Sequence, residues 1–579
     1  MKKIVAATLG ASLLLATASC KKDILDENPQ SVLTPGFLST PQGIEAGVTG
    51  VYSGFRNIYG NEQGISLTEA GTDTWTNGIQ TNSGLFDYST TDLTPTNSGA
   101  AVNQWGIMYQ YINDANGVLQ YAATVQGLDP TRVKQLVAET KVLRAQYYFL
   151  LVQQFGDVPL QLNFVTTPTK DITRAPLADV YTAILADLND ALANIANTAA
   201  QPGRVTRATA LHLLAKVYLT RATSTATQNT DYANAAKFAQ ELIDNQALYG
   251  RGLETDPANV FAEGNENGKE VLFNVQFNAD PTFSQTDGST YPGANVTNYM
   301  YRSRYDLLPN MVRDIPNGRP FARFCTTYYL ENAYILRDAS GNALETGAAQ
   351  RTIDTRYNKW FTTVYRVNSP GNNSGSSKAV IGDTAAWYPG RELSAAQLAR
   401  IAARSPVAYR VIQPSQYTTE YYTTMNKFDS KNRTAVNAFS PRPVIIYRLA
   451  DTYLMAAEAY FYLSNTAQAA KLINVVRERA AATGKTALMD ITPAQVNLDF
   501  ILDERARELV GEQMRWLDLK RTGQLLNRVK LYSPPLTTRS NGVYGSNAAL
   551  NIKSFHTLRP IPQTEVDRTM GKITQNPGY

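Results

Sequence analysis

The sequence predicts a mainly α-helical protein in which paired helices form one half, and a large, irregular, loop-rich insertion with short strands forms the other. Two observations lead to this prediction. Apolar residues recur at positions i, i+3 and i+4 through residues 105–246 and again through 444–523, which is the spacing of amphipathic helices. Between about 250 and 440 that spacing is lost, and Gly, Pro, Asn and Thr interrupt short apolar runs such as Val271–Val275.

The first 19 residues have the composition of a secretory signal peptide. Two lysines precede an apolar run at residues 4–16, and small residues then lead to Cys20. The run is too short to span a bilayer, which requires roughly 20 apolar residues. The position of Cys20 predicts a lipoprotein signal in which this thiol is lipidated, although Thr17 stands where leucine is common. An ordinary signal peptide followed by an incidental cysteine is the alternative.

The polar stretch that begins at Cys20 is expected to be a lipidated tether. Residues 20–42 are polar and contain three prolines. Two or more acyl chains on Cys20 would hold the protein at a membrane, because each buried methylene contributes about 0.8 kcal/mol. We therefore expect a lipid-anchored protein outside the cytoplasm, with the signal peptide, residues 1–19, removed.

Composition argues against several classes of function. The formal charge is +5 and falls to +3 without the two lysines of the signal peptide, which disfavours nucleic acid as a partner. With two histidines and only Cys325 besides Cys20, we expect no transition-metal site, no cofactor and no intramolecular disulfide. Cys325 is expected to be a buried, inert thiol. The 33 tyrosines, among many Asn, Thr and Ser residues, suit a surface that binds a polar ligand such as a sugar.

The helices follow from the periodicity in chain order. A first helix is expected to begin at Thr40-Pro41, with proline in its first turn. Residues 60–104 are rich in Gly, Thr, Asn and Ser and are expected to form a loop with at most a short strand. Further helices are expected at 105–119, 133–151, 177–194, 206–222, 232–246, 444–463, 465–482, 493–510 and 512–523. Paired helices of this length resemble tetratricopeptide-type hairpins. The helical half is thus expected to comprise residues 43–250 and 441–579, and the insertion residues 251–440.

Two carboxylates have the spacing of a catalytic pair. Glu504 and Glu508 lie one helical turn apart, but Arg505 and Arg507 are interleaved with them, which favours structural ion pairs. His212 lies among leucines and is expected to pack in the core. No catalytic residue is therefore predicted.

A series of motifs then occurs in a fixed order along the chain. They are Trp105-x-x-x-Tyr109-x-x-Ile112-x-x-Ala115-Asn116; Arg144-Ala145-x-Tyr147-Tyr148; Phe155-Gly156-Asp157-Val158-Pro159; Tyr447-Arg448-Leu449-Ala450-Asp451; Glu504-Arg505-x-x-Glu508-Leu509; Arg515-Trp516-x-Asp518-Leu519; and Gln575-Asn576-Pro577-Gly578-Tyr579. In this order, behind Cys20, they resemble the SusD/RagB family of outer-membrane nutrient-binding lipoproteins.

The resemblance implies a function as well as a fold. It implies a non-catalytic, lipid-anchored receptor on the outer membrane, facing the cell exterior. Such a receptor binds oligosaccharide or polysaccharide and delivers it to a SusC-like TonB-dependent transporter. A lid or scaffold that binds peptide or another non-sugar nutrient is the alternative within the family. A secreted glycosidase is a third possibility, and it would require two carboxylates flanking a cleft.

Ligand-binding residues are predicted from two regions. A sugar site needs an exposed aromatic ring with fixed hydrogen-bonding groups beside it, and the polar stretch around Trp75 has this composition. In the family that the chain resembles, ligand contacts come from this early region and from the long insertion. By position we therefore predict Asp73, Trp75, Asn77, Tyr291, Asn295, Tyr299, Tyr301, Arg302 and Trp387. For each tyrosine, packing inside the irregular half is the alternative.

Overall fold

A computed structural model describes residues 35–579, apart from residues 80, 82, 281–292, 339, 346–350 and 406–407. The predicted signal peptide, lipidation site Cys20 and most of the tether lie outside the described residues. Helical content is 46% and strand content 8%, which confirms the mainly α class.

The helices of the described residues are numbered in chain order. They are α1 (Pro35–Leu38), α2 (Pro41–Ser53), α3 (Glu62–Glu69), α4 (Ser83–Asp87), α5 (Gly99–Tyr121), α6 (Pro130–Phe155), α7 (Leu177–Ala191), α8 (Arg207–Arg221), α9 (Asp231–Asp244), α10 (Thr297–Met300), α11 (Tyr328–Ala333), α12 (Arg356–Trp360), α13 (Ala395–Arg404), α14 (Leu449–Tyr462), α15 (Thr466–Glu478), α16 (Thr486–Met489), α17 (Leu498–Glu508), α18 (Arg515–Arg521), α19 (Leu525–Tyr532), α20 (Ala548–Asn551) and α21 (Gln563–Arg568). Each of these helices is too short or too polar to cross a lipid bilayer.

The strands are short and form five small sheets. They are β1 (Trp75–Asn77), β2 (Val271–Val275), β3 (Phe324–Thr326), β4 (Phe361–Thr362), β5 (Val364–Arg366), β6 (Thr384–Trp387), β7 (Arg410–Val411), β8 (Thr424–Met425), β9 (Val444–Arg448), β10 (Thr537–Arg539) and β11 (Gly542–Tyr544). The antiparallel pairs are β1–β3, β2–β9, β4–β8, β5–β6 and β10–β11, and β7 joins β6 in parallel.

Consecutive helices of the helical half pack as antiparallel hairpins. Helix α6 shows how the sequence sets their limits: Asp129 accepts a hydrogen bond from Thr131 N, Pro130 occupies the first turn, and Gly156 ends the helix with φ 75°. Helices α5 to α9 follow one another in this way, and α14 packs against α15. Helices α9 and α14 also pack together although residues 245–448 separate them in sequence. The row of helices is therefore continuous in space, as in a tetratricopeptide-like half; the exact domain limits remain a prediction.

Three stretches differ from the expected secondary structure. The helix expected at 444–463 is a strand, β9, followed by helix α14, because the β-branched residues after Pro443 pair with β2. The loop expected at 60–104 contains helix α3, whose first turn is capped by Asn61. The apolar period in α3 is too short to stand out from the polar residues around it. The helix expected at 493–510 is also divided, since α17 begins at Leu498 with Asn497 as its cap.

Aromatic residues build a second core inside the insertion. Tyr305, Tyr365, Tyr388, Tyr417 and Tyr422 are buried there around Cys325, separately from the main core under the helices. Cys325 is a free buried thiol, as predicted, and burial raises its pKa well above the usual range. The tyrosines of the irregular half thus replace the aliphatic residues that it lacks.

A network of ion pairs joins the insertion to the helical half. We call it the buried ion-pair network; its members are Glu270, Asp354, Arg356, Lys427, Arg448, Arg477, Arg479, Glu504, Arg507, Glu508 and Glu512. Arg356 of the insertion contacts Glu504 and Glu508 of α17, each at 2.7 Å. Arg448, at the end of β9, contacts Glu508 at 2.7 Å and Glu270 at 3.0 Å. Charges with almost no access to water therefore tie the two halves together.

The buried ion-pair network includes Glu504 and Glu508, the two carboxylates with the spacing of a catalytic pair. Burial alone would raise the pKa of Glu504, but the charges of Arg356, Arg507 and Arg477 hold that pKa well below its usual range. Three arginines likewise lower the pKa of Glu508 despite its burial. Both carboxylates are ionised, paired and inaccessible, which confirms the prediction that they are structural. His212 is also buried, as predicted, with Nδ1 2.8 Å from the Thr452 hydroxyl.

Candidate functional site

The early polar region and the insertion meet at the β1–β3 pair. The antiparallel ladder continues past the strands, where residues 78 and 79 donate to the carbonyls of 323 and 322 with N···O distances of 3.0 and 2.7 Å. Residues 321–323 in turn donate backbone hydrogen bonds to carbonyls within 299–302. The chain thus brings most of the predicted ligand-binding residues into one region.

Trp75 lies inside the protein at this junction. Its side chain is 0% exposed, and its indole N–H donates to Glu69 Oε2 at 3.1 Å. Its ring packs against Tyr301 with centroids 4.6 Å apart. The expectation that Trp75 is exposed is therefore wrong. Its indole N–H is satisfied by Glu69 on α3, a helix that lies where the sequence predicts a loop. A ring in this position offers no face on which a sugar can stack.

Asp73 is buried for a different reason. Its carboxylate contacts Arg515 at 2.6 Å and Arg528 at 2.7 Å. Burial opposes ionisation, but these two guanidiniums outweigh it and lower the pKa of Asp73. The expected exposure of Asp73 is wrong, because both of its oxygens serve internal ion pairs that fix α18 and α19 to the early loop.

Four predicted residues of the insertion are also buried. Tyr299 and Tyr301 are 0% and 1% exposed, and Arg302 forms an ion pair with Asp429. Asn295 donates to the carbonyl of Arg442 at 2.8 Å and accepts from Thr297 N at 3.0 Å. The expected exposure of these four side chains is wrong, because the backbone and side chains of the insertion already satisfy them.

The other three predicted ligand-binding residues are Asn77, Trp387 and Tyr291. Asn77 is half-buried; its amide donates to Asp87 at 2.8 Å and accepts from the Thr81 hydroxyl at 3.0 Å. Trp387 is half-buried on β6, between Val364 of β5 and a valine of β7. Tyr291 lies outside the described residues. The ligand-binding roles of Asn77 and Trp387 remain predictions.

A different set of side chains faces solvent at this junction. The Phe321 ring is half-buried, with the guanidinium carbons of Arg319 and Arg323 at 4.8 and 5.2 Å from its centroid. The buried ring of Tyr299 supports it with centroids 5.0 Å apart. We call the group of Asn77, Arg313, Arg319, Phe321 and Arg323 the arginine–aromatic surface. It combines a supported aromatic ring with hydrogen-bond donors, which are the components that a sugar site needs.

The arginines of this surface differ in how they are paired. Arg323 contacts Glu62 at 2.9 Å, and Arg313 contacts Asp306 at 2.9 Å. Arg319 forms no ion pair within the described residues, and its Nη1 has no hydrogen-bond partner there. Burial, together with the charges of Arg313 and Arg323, lowers the pKa of Arg319. Arg319 therefore carries a charge that has no carboxylate partner within the described residues, although its Nη1 atom is itself buried.

Sequence reasoning missed this surface. The signal is the alternation Arg319-Pro320-Phe321-Ala322-Arg323, in which two arginines flank a phenylalanine at every second position. A single phenylalanine in an irregular region is more often a core residue, so residue type alone does not identify it. The tryptophan-containing stretch is more conspicuous in the sequence, but it forms the layer beneath.

Two larger clefts are found in the described part of the chain. One, of about 690 Å³, lies between the insertion and the C-terminal helices, where the Tyr329 hydroxyl donates to Asp503 at 2.6 Å. The other, of about 1070 Å³, lies mainly in the helical half and extends to β2 of the insertion; its lining includes Arg204, which contacts Glu139 at 3.1 Å. These polar groups are already paired inside the protein. The arginine–aromatic surface, where Arg319 has no carboxylate partner within the described residues and lies beside a supported ring, is the stronger candidate.

Comparison with known proteins gives matches along nearly the whole chain. Residues 269–579 match the family model described as "SusD family", and residues 23–219 match one described as "Starch-binding associating with outer membrane". "SusD-like protein P2" of Formosa agariphila is 25% identical, covering 98% of this chain and 98% of its own. "Starch-binding protein SusD" of Bacteroides thetaiotaomicron is 23% identical, covering 100% and 99%. The solved structure of a "Laminarin binding SusD-like protein" has a TM-score of 0.67 at 23% identity, covering 93% of this chain and 100% of its own.

Proposed function

The chain belongs to the SusD family, and from this premise we propose that it is a cell-surface receptor that captures oligosaccharide and delivers it to a partner TonB-dependent transporter of the SusC type. The observation that carries the proposal is the arginine–aromatic surface, where the guanidinium carbons of Arg319 and Arg323 lie 4.8 and 5.2 Å from the centroid of the half-buried Phe321 ring.

Binding would use the two complementary faces of a sugar ring. The apolar C–H face would stack on Phe321, which Tyr299 holds in place from below. The hydroxyl groups would accept hydrogen bonds from Arg319 and Arg313 and contact the amide of Asn77. Because Asp87 and Thr81 fix the Asn77 side chain, little conformational entropy would be lost when a ligand binds to it.

We propose that the protein captures the glycan without cleaving it. A glycosidase needs two carboxyl groups that flank an accessible cleft. The two carboxylates with the most suggestive spacing, Glu504 and Glu508, are instead buried in the ion-pair network. The named ligand of the relative from Bacteroides thetaiotaomicron is starch, which supports a polysaccharide as the ligand class.

The anchor of this receptor would be Cys20, followed by the tether 20–42. Lipidation there would place the protein on the outer membrane, with the tether giving it freedom to sit over a transporter. Cys20→Ser should release a folded, ligand-competent protein into the soluble fraction. Recovery of that variant in the membrane fraction would contradict the anchoring proposal.

A second candidate ligand is peptide or another non-sugar nutrient. The observation that favours it is the cleft of about 1070 Å³ in the helical half, because helical repeats commonly present concave surfaces to protein segments. In this alternative the protein would serve as a lid or scaffold, and the arginine–aromatic surface would have no sugar to bind.

Titration calorimetry with a panel of oligosaccharides and peptides separates these functions. The wild type should bind a glycan and release no new reducing ends. Phe321→Ala should weaken that binding by roughly tenfold, since one aromatic stacking contact contributes on the order of 1–2 kcal/mol. Phe37→Ala is the matched control, because Phe37 is exposed on α1, outside the surface. Binding to peptides alone, or equal affinities for Phe321→Ala and wild type, would contradict the proposal, and sugar release would identify an enzyme.

A further inference from the structure

Within the described residues, the arginine–aromatic surface carries more positive charge than its carboxylates neutralise, and we propose that the glycan bound there is acidic, bearing carboxylate or sulfate groups. This inference rests on the proposed function, and it specifies the class of glycan that the same surface selects.

Three arginines lie against the two packed rings of this surface, Phe321 and Tyr299, and a fourth is near them. Arg319 and Arg323 flank Phe321, and the guanidinium carbon of Arg433 lies 5.7 Å from the centroid of Tyr299. Arg313 is close enough for its charge to affect both Tyr299 and Arg319. The rings are thus surrounded by guanidinium groups.

The carboxylates paired with these arginines are fewer. Glu62 pairs with Arg323 at 2.9 Å. Asp306 pairs with Arg313 at 2.9 Å but is shared with Arg304 at 3.0 Å. Neither carboxylate is bonded to Arg319. The pairs therefore leave net positive charge at the surface.

Two further charged residues, Arg433 and Asp314, leave the net charge of this surface positive. Arg433 donates to backbone carbonyls, among them those of Ser430 at 2.8 Å and Ile315 at 2.6 Å, which bind its protons but leave its charge. Asp314 accepts hydrogen bonds from Asn317 and Asn368, which leave its charge, so it can offset only one of the two arginines without a carboxylate partner, Arg319 and Arg433.

Such an arrangement is unfavourable in the free protein. Like charges held close together at a partly desolvated position repel one another, and each disfavours the charged form of its neighbours. The downward shift of the Arg319 pKa has this cause in addition to burial. An anion bound among these groups would reduce the repulsion and supply Arg319 with a counter-charge.

The chemistry of guanidinium groups indicates which anions fit. A planar guanidinium binds carboxylate, sulfate or phosphate oxygens through paired N–H donors, and such charge-assisted bonds are about twice as strong as neutral ones. A neutral sugar would leave the charge of Arg319 without a counter-ion. A uronate or sulfated sugar would stack on Phe321 and place its acidic group against Arg319.

The test is calorimetry of the full-length lipid-free protein with matched acidic and neutral oligosaccharides. The carboxylate probe is an oligogalacturonate with its carboxyl-reduced counterpart, and the sulfate probe is a sulfated galactan oligosaccharide with its desulfated counterpart. At low salt, at least one acidic probe should bind about tenfold or more tighter than its neutral counterpart, because a charge-assisted hydrogen bond contributes about 1.5–3 kcal/mol. High salt should reduce this preference.

Substitution at Arg319 separates specific recognition from general attraction. Arg319→Gln should remove most of the preference for the acidic probe over its neutral counterpart, because the substitution removes the guanidinium charge and keeps an N–H donor. Arg366→Gln is the matched control, because Arg366 is exposed on β5 and bonds only to the hydroxyl of Thr384 within the described residues. It should leave the preference unchanged.

The outcomes distinguish the two proposals. Equal affinity for acidic and neutral probes, or an acidic preference that survives Arg319→Gln, would overturn this inference and leave glycan capture standing. Binding of no glycan would overturn both. An acidic preference lost in Arg319→Gln and kept in Arg366→Gln would support it, and the probe that shows it would tell carboxylate from sulfate.

Discussion

The buried ion-pair network and the arginine–aromatic surface are made from the same residue types and behave as opposites. In the network, Arg356 contacts three carboxylates, and Lys427 lies 4.1 Å from the Trp360 ring centroid while paired with Glu512 at 2.6 Å. At the surface, Arg319 stacks on an aromatic ring with no carboxylate beside it in the described structure. The network has its counter-charges within the chain, whereas the surface lacks one.

This difference separates a structural role from a recognition role. A buried charge with all its partners contributes to the fold and is costly to break, but it has nothing left to bind. A half-exposed charge without a partner contributes little to the fold and can pair with a ligand. The pairing of the arginines, rather than their number, therefore identifies the functional surface.

The largest expected effect comes from breaking the network at its centre. Arg356→Met should reduce the free energy of unfolding by about 3–5 kcal/mol, because three carboxylates would be left buried without their main counter-charge. Urea denaturation measures this change. Arg319→Gln, as the surface counterpart, should change stability by less than about 0.5 kcal/mol. A comparable loss in the two variants would show that the two regions do not differ as described.

The second prediction concerns Glu69, the buried carboxyl that accepts the indole N–H of Trp75. Burial raises its pKa to about 8, since no ion pair compensates for the lost hydration as one does at Asp73. The native state therefore binds a proton that the unfolded state releases above its ordinary pKa. The stability contributed by the protonated form is present at low pH and is lost as the pH rises towards 8.

Glu69→Gln should remove this dependence. Between pH 5 and 7 the wild type should lose on the order of 2–3 kcal/mol relative to the variant, from about 1.4 kcal/mol per pH unit for one group. The variant itself should be less stable at pH 5, because its amide nitrogen would face one of the two N–H donors, Trp75 Nε1 and Met514 N. Thermal unfolding across this pH range is the measurement, and parallel curves for the two proteins would contradict the prediction.

The smallest effect is expected for Glu62→Gln, which changes the charge of the arginine–aromatic surface. Glu62→Gln removes the carboxylate that Arg323 contacts at 2.9 Å, and so raises the net positive charge of the surface by one. We expect two- to fivefold tighter binding of the acidic probe, and a stability change of about 1 kcal/mol or less, since exposed ion pairs contribute about that much. Calorimetry and urea denaturation of the same preparation measure both quantities. Weaker binding of the acidic probe by this variant would contradict the idea that unmatched charge selects the ligand.

The sequence predicts the helical half and its contacts better than the site, for physical reasons. Helical periodicity extends over many residues in α5 to α9, so it survives local exceptions. The structural role of Glu504 and Glu508 follows from the arginines interleaved with them. By contrast, whether Trp75 is exposed depends on Glu69, six residues earlier, whose helix is too short to show a period.

The location of the surface depends on long-range pairing. Phe321 reaches the early loop only because residues 322 and 323 extend the β1–β3 ladder, and no local pattern specifies that register. Trp75 and Tyr299 indicate the right region from their residue types. The fold of the insertion determines that the layer with Phe321, rather than the layer with Trp75, faces solvent.

The most direct test of the central claim is a crystal structure of the protein with an acidic oligosaccharide that it binds in solution. We expect one sugar ring stacked on Phe321, with its carboxylate or sulfate against Arg319 and no covalent change. An oligosaccharide bound in the cleft of about 1070 Å³ or against Trp387, with Phe321 and Arg319 unoccupied, would contradict the claim.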